Sequence, residues 1–135
     1  MKAIGKVKTV IAFAVGLLGV SNILAERDYD VKTVETIGGR VLSVENTTLS
    51  KRRGYWVQLM LQTDKEVIPV QLGPLWFIVK ETPRIEANDT ITVTGSRMML
   101  DGRPAVIAAD IAKGNELLKL RQNDGVPFWP LHHGG

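Results

Sequence analysis

The chain's only two histidines, His132 and His133, stand side by side near the end of its 135 residues, and it has no cysteine. Adjacent histidines make at most a weak surface metal site, because a structural zinc wants four ligands. Met60, Met98 and Met99 are soft donors, yet methionine at sheet positions ordinarily fills packing gaps. The hydroxyls Ser43, Ser50 and Ser96 have no motif around them, and a nucleophile needs a base within hydrogen-bond reach. Asp64, Glu66, Glu81, Glu86, Asp89, Asp101, Asp110 and Glu116 fall mostly at strand ends and turns, without the spacing of a metal or glycosidase pair. A protein without catalytic residues or cofactor is expected. The residues that do stand out belong to recognition: Lys51, Arg52 and Arg53 in the polar loop Asn46 to Gly54, then Trp56, Arg97 and Arg103. Arginine forks onto phosphate or carboxylate. Cations around a flat aromatic suit an anion with stackable or apolar parts, single-stranded nucleic acid included.

Those residues must be carried by strands. Val34 to Glu45 is a first strand candidate, interrupted by Gly38-Gly39, where a bulge or strong coiling is expected. Tyr55 to Thr63 alternates cleanly. Tyr55, Val57, Leu59 and Leu61 are expected to face a core, and Trp56, Gln58, Met60 and Gln62 a half-wet outer side. Asp64-Lys65 reads as a tight connection to a third strand, Glu66 to Leu72, with Ile68, Val70 and Leu72 inward. Gly73-Pro74 ends the alternation, and Pro74 suits the first turn of a helix. Leu75, Ile78 and Val79 recur at helical spacing over 74–81, with Trp76 and Phe77 as a bulky plug. Thr90 to Arg97 alternates again, Asp101-Gly102 signals a hairpin, and Pro104 to Ile111 is the last full strand. Leu117 to Arg121 is a short extension. The tail from Val126 holds Phe128 and Trp129 between two prolines and is expected to fold back on the sheet rather than dock elsewhere, with coverage of Trp56 as the alternative to an open aromatic.

Three strands, a helix and two strands predict a mainly β protein: a five-stranded OB-fold barrel with one short helix between strands 3 and 4. An N-terminal signal helix precedes it. Here the chain resembles the small exported bacterial OB-fold proteins, the BOF-like periplasmic family. The likeness rests on the secretory leader, GRVLSV in the first strand, IPVQLGPLWF entering the helix, DTITVTGS, and the closing GRPAVIAADIAKG. It covers about residues 35–115. It implies a binding or stress-associated periplasmic module with few defined ligands. An OB-fold usually binds on the outer side of strands two and three and with the loops after strands one and four. That places Lys51, Arg52, Arg53, Trp56, Arg97 and Arg103 on one ligand-binding face.

The first 25 residues carry Lys2, Lys6 and Lys8, then an apolar run to Val20, then Ser21 to Ala25. This is the order of a secretory signal, with cleavage expected after Ala25. The alternative is an uncleaved anchor, although the apolar run is short beside the roughly 20 residues a membrane helix needs. Three of the 17 basic residues fall in this leader and none of the 14 acidic ones, so the remainder is balanced, 14 against 14. A global basic field for nucleic acid is absent. The expected plan is a leader (1–25), an arm (26–34), the OB-fold (35–122) and a proline and aromatic tail (123–135). The expected function is an exported, periplasmic, non-enzymatic binding module of the cell envelope, taking a protein partner or a small anionic ligand. Two alternatives are a single-stranded nucleic-acid binder and a metal- or haem-handling factor using the tail histidines.

Overall fold

A computed structural model describes residues 29–50 and 54–130. The leader, Lys51–Arg53 and His132-His133 lie outside the described residues, so the expectations resting on them stay as stated. After a single 3-10 turn at Val31–Thr33 come three strands: β1 (Val34–Ser50), β2 (Gly54–Gln62) and β3 (Val67–Pro74). The one-turn helix α1 (Leu75–Ile78) follows, then β4 (Thr90–Leu100), β5 (Arg103–Lys113) and β6 (Glu116–Lys119). They form one six-stranded sheet in the order β3-β2-β1-β4-β5-β6, every neighbouring pair antiparallel. A further parallel contact, Val70↔Val106 and Gln71↔Ile107, joins β3 to β5. No helix among the described residues is long and apolar enough to cross a membrane.

The organising element is β1, which serves two partners in turn. Its first half, Val34 to Arg40, pairs with β4. From Arg40 onward it pairs with β2. The handover needs close backbone contact, because a Cβ on Gly39 would lie 2.2 Å from the Gln62 carbonyl oxygen. Glycine is therefore demanded here by approach rather than by a bulge. The bulge that the double glycine suggested falls just beyond, at Leu42, where the register against β2 slips between Val41 and Ser43.

The inward faces match the alternation. Val57, Leu59 and Leu61 of β2, Ile68, Val70 and Leu72 of β3, and Ile91 and Val93 of β4 are all buried. Tyr55 is 55% exposed, against expectation, because it sits beside Thr48 near the end of the ladder, past the end of the core. The β4–β5 hairpin turns on Asp101 and Gly102, both at positive φ, as a two-residue turn of that composition requires. The helix is shorter than 74–81. Pro74 precedes it, and after Ile78 the chain continues in turns, with Lys80 N–H on Phe77 O at 3.1 Å and Glu81 N–H on Ile78 O at 3.1 Å.

Candidate functional site

Around α1 the molecule has two different sides. On one, the tail returns. Its backbone is held by Leu120 N–H on Ala109 O at 2.7 Å and Phe128 N–H on Leu120 O at 3.0 Å. Trp129 ends up 3% exposed, edge-on to Trp56 at 5.9 Å between centroids and tilted over Phe77 at 5.3 Å. It lies so close to β3 that a Cβ on Gly73 would meet its ring at 2.8 Å. The Arg121 guanidinium, itself buried, sits 5.0 Å from the Trp129 centroid and 5.9 Å from that of Tyr29, and its Nη1 donates to Gly125 O at 3.0 Å. A cation held between two rings is a favourable desolvated arrangement. Burial pushes the Tyr29 hydroxyl above its ordinary value, against the opposite pull of Arg121.

Two residues of the face the sequence offered for ligands, Trp56 and Arg97, are engaged in contacts within the protein. Trp56 does lie on the outer side of β2, but it is 5% exposed beneath Trp129 and is not an open stacking platform. Arg97 is also committed. Its Nε donates to Glu35 and its Nη1 and Nη2 to Glu66. These bonds, Glu66 first, hold the guanidinium firmly protonated and hold the Glu66 carboxyl below its usual range. Trp56 pairs with Pro74 at the far end of β3, whereas Glu66 precedes its start. At about 3.3 Å per residue, roughly 25 Å of strand separates the two groups. Arg103, exposed, is beyond Arg97 at the hairpin. The expected site residues that are described therefore do not converge.

The other side of α1 is open. A groove of about 280 Å3 runs between the helix, the connector that follows it, and the second half of β1. Val57, Leu72, Leu75, Ile78, Ile85 and Leu118 make it apolar. Val44 and Val79 stand at its edge, 38% and 51% exposed. Asn46, Glu81 and Arg84 supply the polar groups, and Pro83 completes the lining. The connector is pinned by Lys113, whose Nζ donates to Arg84 O at 2.8 Å and pairs with Asp89 at 2.9 Å. That contact, with a further bond from Glu86 N–H, keeps the Asp89 carboxyl below its ordinary value. Among the described residues no cluster of three His, Cys, Asp or Glu side chains is placed to hold a metal. The groove's lining is mainly apolar, with a few polar groups. The sequence signal for it was Ile78-Val79, an apolar pair continuing past the Trp76-Phe77 plug into a connector.

One family model matches residues 33–118, which is 86 of the 135 residues. The chain belongs to the MamS/MamX magnetosome protein family. No curated protein matches it at a significant level. The MamS/MamX match corrects the resemblance to the BOF-like OB-fold family. GRVLSV, DTITVTGS and the closing segment fall inside the matched region. Alternating apolar residues punctuated by glycine are what any small, strongly coiled sheet requires, so those motifs do not separate one family from another. All the groove residues of this MamS/MamX chain lie within the match, while Arg121 and Trp129 lie beyond it.

Proposed function

We propose that this protein is a magnetosome-associated, exported module that works by holding a protein partner in the groove beside α1, without catalysing a reaction. The observation that carries the reading is the groove: apolar, open, and walled by residues of the matched family region. The closed pairing of β1 to β5 supports an OB-type barrel, with α1 over one open end and the groove at that end. The magnetosome association rests on the family name alone. A small anion as ligand has less support, since Arg97 and Trp56 are engaged inside the protein. Covalent haem attachment needs a C-x-x-C-H motif, and this chain has no cysteine.

The test is co-purification from magnetosome membranes with the tagged protein and with its Val79→Asp variant. Val79 is exposed, so the fold should survive, which circular dichroism checks. A partner held through apolar contacts stays bound in high salt and is lost from V79D. A partner retained by V79D, or released by salt alone, contradicts the reading.

A further inference from the structure

The second half of β1 has an edge with no strand beside it among the described residues. β4 pairs only as far as Arg40. The connector adds two bonds, Val41 N–H to Asp89 O at 2.8 Å and Asn88 N–H to Val41 O at 2.7 Å. Beyond Val41 no further backbone bond leaves this edge among the described residues. The direction of the next peptide groups follows from the ladder. Val41 bonds away from β2, so its pair with Leu61 is a non-bonded rung. Across the bulge Ser43 meets Met60, the next rung, which must bond to β2. Val44 against Leu59, Asn46 against Val57 and Thr48 against Tyr55 are then non-bonded rungs. Their N–H and C=O groups all point to the open edge.

Soluble proteins guard such an edge with lysine, proline, inward charge or a covering segment. Leu42 to Thr48, LSVENTT, has neither lysine nor proline. Its single charge, Glu45, is on the outer face, where Ser43 and Gln58 donate to it at 3.1 and 3.5 Å. The segment is also complementary to itself. An antiparallel copy about a two-fold axis at Asn46 sets Val44 against Thr48, Asn46 against Asn46, and Glu45 against Thr47. No like charges oppose, and the three outward residues of each copy exchange about six backbone hydrogen bonds. An axis at Glu45 would oppose two carboxylates, and one nearer Leu42 runs into Asn88 and Asp89.

We infer that this edge pairs with a second copy of the chain through an isologous β1–β1 contact centred on Asn46. Thr48 of the second copy then stands beside Val44, so each groove is walled by both copies. The contact does not depend on what the groove holds.

The experiment is sedimentation and light scattering of the purified protein, with crosslinking in cells. The wild type should show twice the chain mass. Asn46→Pro removes an N–H that β2 does not use, a place where an edge tolerates proline, and Asn46→Lys installs the missing guard. Both should stay folded by circular dichroism and fall to the mass of one chain. Because the chain has no cysteine, Asn46→Cys gives a unique thiol, which a short bismaleimide should link into a dimer. Asp64→Cys, on the β2–β3 turn, should give none. A wild type of single-chain mass overturns the inference and leaves the edge to another protein or to this chain's own leader. So does a dimer that persists in both N46P and N46K, or an N46C protein that does not crosslink.

Discussion

Trp129 shows at the level of single residues how a side chain distant in sequence decides the fate of a site. The alternation in β2 puts Trp56 on the outer face, and only the expected return of the tail, not the strand itself, gave a reason for that face to be covered. Covering it took a ring 73 positions away, and alternation does not report contacts at that range. Two predictions follow from that packing. Trp129→Ala removes a buried aromatic and should cost about 3–5 kcal/mol in denaturant unfolding. Gly73→Ala forces a methyl against the same ring and should cost roughly 1–3 kcal/mol. In the W129A background G73A should cost less, since the atoms it strikes are gone and only the strain of a side chain at φ 159° remains; an equal cost in both backgrounds would mean that Gly73 matters for its backbone alone. Arg97→Met should lower the melting temperature only slightly, because the pair is partly exposed. Glu66 is held below its ordinary value of 4.5 by Arg97. A carboxyl depressed in the fold contributes above its unfolded pKa and loses that contribution as pH falls through the folded one. The gap between wild type and R97M should therefore be full near neutrality and shrink as pH drops below 4.5. A gap independent of pH would show that Arg97 acts through packing.

Among the elements, the strands were the most legible, because each is a short alternating run ended by glycine, proline or a turn pair. β2, β3 and the Asp101-Gly102 hairpin fall where the pattern places them. The length of β1 was not legible. Residues 46–50 read as a polar loop, yet they continue the strand because β2 supplies partners for Asn46, Thr47, Thr48 and Ser50, with a slip at Leu49. Nor was the sixth strand evident as more than an extension, since β6 is four residues long and exists by pairing with β5. The helix was overestimated because Val79 is already its C-cap, still at αR angles with its N–H on Leu75 O, and the backbone beyond it continues only in turns. The connector that follows depends on Lys113. Lys113→Met should speed hydrogen exchange across 84–89 while leaving the central strands protected; unchanged exchange there would show that Pro83 and Ile85 hold the connector unaided.

For the whole molecule, the recognition face read from sequence and the groove found in the structure are at different places, and the reason is the same for both. Basic and aromatic residues are conspicuous in a sequence, but Trp56 and Arg97 are spent on internal contacts. The groove is made of ordinary aliphatic residues from four strands, α1 and the connector, which only the fold assembles. Its lining lies wholly within the family match, and the proposed function rests on it. A photoreactive amino acid at Val79, activated in cells that form magnetosomes, tests that directly. The account predicts a discrete protein adduct from position 79 and none from the same probe at Asp64 on the β2–β3 turn. No adduct at 79, or the same adducts from both positions, would contradict it.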